Sequence, residues 1–317
     1  MFKLLKVDGT DILPDEYESE RDAVRDAIDK RKSLRSAILR GADLSHMQLQ
    51  GVDFSHAMLK DANLSRSNLS DSRFESASMQ NVDAQYVQAD DAEFLRATLK
   101  GANFSGAVMH RVRFPEVKGD NMKFIQATMN RAYMQNFHGV GCDFTGAMMR
   151  NGDISYSDME QANFGAADLD AVDMSSCRMR YSMFDVNTNL EWANLRDVNL
   201  SGCVGLIDPS DWMEENFERT DEGYRVFKVF GKTYISPEHW FISPGSVIRE
   251  VVNPNRTVGC ACGVNFAHKE WFGNDELPLL WECLLEWRDL PAVVVPFNTD
   301  GKARCSRLTL VGKVEED

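Results

Sequence analysis

No stretch of this chain is long or apolar enough to span a membrane. The opening Met1-Phe2-Lys3-Leu4-Leu5-Lys6 lacks the apolar core of a secretory signal. Cysteines are few, seven in 317 residues, odd in number and without framework spacing, which excludes a disulfide scaffold; with 15 methionines they point to a reducing interior. The expectation is a cytoplasmic protein with no membrane partner. There is no Gly-rich phosphate loop, no paired-carboxylate signature and no serine nucleophile elbow, so the common enzyme signatures are missing too.

What is present is one five-residue phrase, repeated from about residue 33 to residue 204: a small residue, often Asp or Asn next, then a large apolar residue. Ala42-Asp43-Leu44, Ala62-Asn63-Leu64, Ala102-Asn103-Phe104, Ala162-Asn163-Phe164 and Ala167-Asp168-Leu169 are good copies. On an α-helix each step of five turns the side chain by roughly 140° and scatters the apolar positions. On a continuous strand it flips faces at every repeat. The spacing works if each repeat is a short extended piece with its own corner, turning the large residue and the small one two before it inward, as in a solenoid.

The large residue falls at every position ending in 4 or 9 from Leu34 to Phe184, 31 repeats without insertion or deletion. Ala84, Ala89, Gly119 and Gly139 replace it at four of them. After Phe184 the register slips by one residue and three copies follow, at Leu190, Leu195 and Leu200. Phe54, Phe74, Phe94 and Phe114 are 20 residues apart, as are Phe104, Phe124, Phe144, Phe164 and Phe184. Only a coil of four repeats stacks like on like, and the ten-residue offset puts the two columns on opposite sides. Gly119 and Gly139 then lie one above the other, with Phe137 to fill the vacated space. The expected architecture is a square parallel β-solenoid of about eight coils, roughly 40 Å long at ~4.8 Å per coil.

Residues 33–204 resemble the pentapeptide-repeat family, whose fold is a right-handed quadrilateral β-helix. The resemblance, not the spacing, supplies the handedness. It also implies a function: the best understood members resemble a DNA duplex in size and charge and bind type II topoisomerases. The net charge of −14 invites that reading, but residues 33–204 hold 21 acids against 16 bases, a net of only −5. Much of the Asp precedes the inward residue, where it can bond nearby backbone. Arginines from Arg35 to Arg196 dilute the field that a mimic of duplex DNA needs. A mixed-charge surface is the better expectation. Loops that interrupt the repeats, common in topoisomerase-protecting relatives, are missing.

A solenoid exposes strand edges and an apolar cross-section at its ends. Residues 1–32 read as an N-terminal cap: a strand over 2–7, a turn at Asp8-Gly9, and a helix from Ser19 to Lys32, capped by Ser19 and apolar at Ala23, Val24, Ala27 and Ile28. Residues 205–222, with Pro209 and an acidic helix-like run from Trp212 to Glu222, read as a hinge or C-terminal cap. Residues 223–317 read as a small α+β domain. Tyr224 to Val229 and Lys232 to Ile235 flank Phe230-Gly231 as a hairpin, and Pro244-Gly245 is a turn. Leu277 to Arg288 reads as a short buried helix, and Ala292 to Phe297 and Ala303 to Val311 bracket the turn Asn298-Thr299-Asp300-Gly301. Trp240, Trp271, Trp281 and Trp287 are expected in its core, with one or two open to a binding face. Through Cys260 to Ala267 and Asp300 to Cys305 this domain resembles an uncharacterised module that follows pentapeptide repeats in bacteriophage and prophage proteins.

Cys260, Cys262, His268 and Cys305 are the obvious zinc set, yet no second closely spaced ligand pair exists. Cys262, before Gly263, with His239 or His268 as base would be the thiol nucleophile. Packing and surface roles suit these residues better, as packing suits Cys142 and Cys177 at small inward positions. No catalytic, cofactor-binding or metal residue is therefore expected. The expected function is a non-catalytic protein-binding scaffold or inhibitor, phage-encoded and acting on a host protein such as a topoisomerase or a defence enzyme, with no direct nucleic acid binding. Two alternatives stay open: a DNA mimic of gyrase or another DNA-handling enzyme, and a catalytic C-terminal module. Homodimerisation through Trp212, Met213 and Phe217 or through the terminal domain also stays open.

Overall fold

From Ser36 to Tyr181 every fifth residue has left-handed backbone, whether it is Gly41, His46, Arg66 or Tyr86. The reason is a turn repeated at every corner. Ala57 N–H donates to the Phe54 carbonyl at 2.9 Å with His56 between them at φ 61°, the type II arrangement, whose third residue must be left-handed. The large residue opens the turn, the small one closes it, and both face inward. This computed structural model describes residues 1–206, 209–231, 236–259, 261–273, 279–297 and 299–314. They fall into two units, Met1–Gly205 and Leu206–Asp317. No helix among the described residues is long and apolar enough to cross a membrane.

In the first unit, parallel bridges join each outward residue to the one 20 positions on: Met58 to Ser78, Asn63 to Asp83, Asn68 to Gln88, Arg73 to Glu93. Four bridges per coil make the coil four-sided. The spacing holds to Asn163–Met183 and becomes 21 from Asp168–Asn189, the slip expected after Phe184. Thr188 closes the enlarged corner, its hydroxyl donating to the Phe164 carbonyl at 2.9 Å and accepting from Asp185 N–H at 3.0 Å.

Phe54, Phe74, Phe94 and Phe114 stack with ring centroids 4.7 to 5.3 Å apart, and Phe104 to Phe184 form the second column. The columns meet edge to face across the interior, Phe94 on Phe104 at 5.7 Å and 87°. Such pairs add about 0.5–1.5 kcal/mol each beyond their burial. Phe137 occupies the space expected of it: a Cβ at Gly139 would stand 2.1 Å from its Cε1, and one at Gly119 2.9 Å from its Cζ.

Residues 2–7 form isolated bridges rather than a continuous strand, Phe2 to Tyr17, Leu5 to Asp11 and Lys6 to Ala37. Val7 N–H donates to Ser36 and Ile38 N–H to Leu5, which ties this segment to the first repeats. Helix α1, Glu20–Asp29, is shorter than expected because Arg31 turns left-handed. Ser19 caps it, and Ala23, Val24 and Ala27 are buried.

The second unit holds helix α2 (Pro209–Asn216) and seven strands: β1 (Glu218–Arg219), β2 (Gly223–Val229), β3 (Val247–Arg249), β4 (Val264–Ala267), β5 (Leu280–Glu286), β6 (Lys302–Cys305) and β7 (Arg307–Lys313). They form a curled antiparallel sheet in the order β3-β7-β5-β2-β4-β6, with β1 on β2. The helix expected over Leu277 to Arg288 is instead β5, paired along its whole length with β2. A short apolar run looks alike in either element, and here pairing on both edges decides. Residues 223–317 are therefore sheet with 3-10 turns rather than α+β among the described residues. Lys232 to Ile235, half of an expected hairpin, lie outside those residues. The turn before β6 is closed by a bridge between Val294 and Arg304, with Asn298 outside the described set. Trp212, Met213 and Phe217, from the segment expected as hinge or cap, are buried in this unit's core with Tyr224, Phe266 and Leu310. Trp240, Trp281 and Trp287 pack against that core while partly exposed.

The Phe137 arrangement predicts strong coupling. Phe137→Ala should cost about 3–5 kcal/mol in urea unfolding, and Gly139→Leu alone should also destabilise. The double variant should recover well over half of the combined loss, whereas additive losses would contradict the shared space.

Candidate functional site

The outer surface of the repeat unit is built of regular columns of outward residues, and many of its charges have local duties. Asp43, Asp83 and Asp143 accept from the amide two residues on, at 3.0 to 3.1 Å, and Asn63, Asn103 and Asn163 do the same on intervening coils. Asp53, Asp153 and Asp173 repeat this on another side. Other carboxylates are taken by arginine. Arg111 Nε donates to Asp91 at 2.8 Å, Arg96 grips Glu116 through two bonds at 2.9 and 3.3 Å, and Arg150 pairs with Asp168. The side that carries Asp71, Asp90, Asp91 and Glu93 is interrupted by Arg111, Arg113 and Arg131 on the next two coils. No side presents a continuous row of unengaged acids among the described residues.

One column differs. Gln48, Asn68, Gln88, Val108, Thr128 and Met148 bridge in succession, six coils without a charge. Val108 is 38% exposed and Met148 42%. Beside them Tyr86, 58% exposed, lies over Gly106, where a Cβ would stand 2.5 Å from the ring, and Arg66 stacks on Tyr86 at 5.3 Å. The strip runs about 24 Å, five steps of ~4.8 Å. Charge counting cannot find it; only the 20-residue fold brings these residues together.

In the second unit the residues singled out by sequence are scattered. Cys305 is buried, its thiol donating to the Arg307 carbonyl at 3.1 Å, and burial pushes its pKa up. Cys262 is exposed, and Cys260 lies outside the described residues. His268 faces Glu270 at 3.2 Å and His239 packs against Trp240, contacts that do not involve Cys262. Among the described residues no three His, Cys, Asp or Glu side chains form a metal set. The two segments behind the module resemblance prove to be partner strands, Val264 opposite Cys305 and Asn265 opposite Arg304. Sequence reasoning missed Arg304, which is fully buried. Its guanidinium donates to the carbonyls of Asn253 at 2.9 Å, Val258 at 2.8 Å and Asn255, pinning that loop to the sheet. The only signal was an arginine within Ala303-Arg304-Cys305, otherwise apolar.

Burial pushes the Cys142, Cys177 and Cys283 thiols up to about 12. Iodoacetamide should therefore modify Cys262 in the native protein and reach Cys142, Cys177, Cys283 and Cys305 only after unfolding, as peptide mapping would show. Asp43 is held below the usual carboxylate range by Ser45, Asp91 and Glu116 by their arginines, and Asp185 by the Ala166 amide. Their folded pKa values are depressed, so the stability they add is present above the unfolded value of about 4 and is lost as pH falls through the folded values. The unfolding temperature should be level from neutral pH to about 5 and drop below about 4; an unchanged value there would contradict these bonds.

The family model for pentapeptide repeats matches in eight copies, over residues 37–75, 77–114 and 123–165. No curated protein matches the chain. Among solved structures, HetL, a pentapeptide repeat protein involved in heterocyst differentiation regulation from Nostoc sp. strain PCC 7120, is 20% identical, with 52% of this chain and 86% of that chain covered and a TM-score of 0.31. A trypsin-treated form of QnrB1, a plasmid-mediated fluoroquinolone resistance protein, is 19% identical over 51% of this chain and 84% of that one, with a TM-score of 0.31. A pentapeptide repeat protein of the Arabidopsis thaliana thylakoid lumen is 22% identical over 40% and 68%, with a TM-score of 0.12. Whole-chain superposition is weak in each case. Residues 37–75, 77–114 and 123–165 of the first unit are thus matched as pentapeptide repeats.

Proposed function

We propose that the chain is a non-catalytic protein-binding scaffold of the pentapeptide-repeat family, with the uncharged strip along Gln88, Val108, Thr128 and Met148 as its docking face. The observation that carries this is the contrast between that uncharged strip and the neighbouring columns, where many carboxylates are bonded to backbone amides or paired with arginine. A face built on ladder-locked backbone loses little freedom on binding. Exposed apolar side chains flanked by amides and hydroxyls suit a protein surface better than a polyelectrolyte. In this reading residues 33–204 form a right-handed rod of about eight coils, residues 1–32 close its first end, and residues 223–317 act as a separate module. Mimicry of duplex DNA finds less support, because a mimic needs free acids in long rows.

The test is partner capture by the full chain at low and high salt, with and without duplex DNA as competitor. Val108→Glu and Met148→Glu should each weaken a captured protein's binding by about tenfold or more, while Arg113→Glu and DNA leave it nearly unchanged. Capture that DNA or salt abolishes, and that Val108→Glu leaves intact, would replace the scaffold strip with mimicry.

A further inference from the structure

The outer face of the second unit's sheet holds a cleft that plays no part in the scaffold reading. Strands β3 and β7 pair so that Arg249 stands directly opposite Arg307. Residues opposite one another on antiparallel strands share a face, and like charges placed there repel. Both guanidinium groups nevertheless line one open cleft of about 650 Å³, together with His239, Glu250, Asp289 and Ser306.

The two arginines are in different states. Arg307 is mostly buried and clamped, Nη2 at 3.0 Å from Glu286 and Nη1 at 3.7 Å from Asp289. Its Nε is buried without an acceptor among the described residues, an arrangement native proteins keep where a ligand or ordered water supplies one. Arg249 is exposed, and among the described residues no carboxylate pairs with it. The acids on the wall are engaged, Asp289 by Arg307 and Glu250 by the Val251 amide at 2.9 Å. Arg249 is therefore the cation of the cleft that has no ion-pair partner among the described residues, its formal charge balanced only by Glu250 on the same wall.

We propose that this cleft binds a small molecule through an oxyanion, a phosphate or carboxylate group, held by Arg249 with His239 and Ser306 as further donors and Arg307 as the fixed wall. The planar fork of Arg249 matches the paired oxygens of either group. The volume is that of a small-molecule site. Glu250 and Asp289 oppose a long polyanion, which sets this site apart from a nucleic-acid groove.

Trp240, whose indole N–H donates to the Arg249 carbonyl at 2.8 Å, is a built-in reporter. The full chain would be titrated with inorganic phosphate and, separately, with citrate, at constant ionic strength balanced by chloride, following tryptophan emission and the arginine Nε–H signals. A saturable response to either anion supports the site and says which group it takes. Arg249→Ala should weaken it at least tenfold, Arg249→Lys only severalfold, and Arg40→Ala on the repeat unit not at all. A response that fails to saturate, that chloride alone reproduces, or that survives Arg249→Ala unchanged overturns the proposal.

Discussion

A left-handed residue at every fifth position is the constraint on which the repeat unit depends. Outside glycine that conformation costs about 1–2 kcal/mol, yet Arg66, Tyr86, Gln126 and Trp192 all adopt it. The offset comes from the ladder: each extended piece is bonded to the coils before and after it, as Asn63 N–H is to Ala42 and Leu64 N–H to Asp83. A corner with one extra residue breaks that match for everything downstream. The single extra residue before Asn189 is tolerated because it comes once, near the end, and Thr188 bonds across the gap.

The same constraint separates inside from outside. The large and small inward residues are spent on stacking and burial, so the family pattern they create carries the fold and no partner. Function is left to the outward columns, where residues far apart in sequence become neighbours, as Gln88, Val108 and Thr128 do. In the second unit chemistry and support are likewise separate. Arg304 and Cys305 lie buried and hold the sheet together, while Arg249, in a short edge strand, faces the open cleft.

Four-sidedness, the slip after Phe184 and the nesting of Phe137 over Gly119 and Gly139 could be read from the sequence, because one inward position obeys one arithmetic. The second unit was less legible. Its strands pair across long separations, β2 with β5 and β4 with β6, and no local period announces that. Leu280 to Glu286 looked helical because Leu280, Leu284 and Trp287 fall at helical spacing, and the pairing on both edges that overrides it joins residues far apart in the sequence. Outer columns were hidden for a related reason: Val108 and Met148 are unremarkable until the coil places them in one row.

The most direct test is to remove repeats in two sizes. Deletion of residues 85–104 takes out one whole coil and leaves every column in register, whereas deletion of 85–89 removes a single repeat and rotates all later columns by one side. Chemical unfolding of both should show the shortened protein retaining a cooperative transition with modest loss, and the five-residue deletion losing far more stability although it removes far less chain. Equal stability of the two, or greater damage from losing the whole coil, would contradict the account.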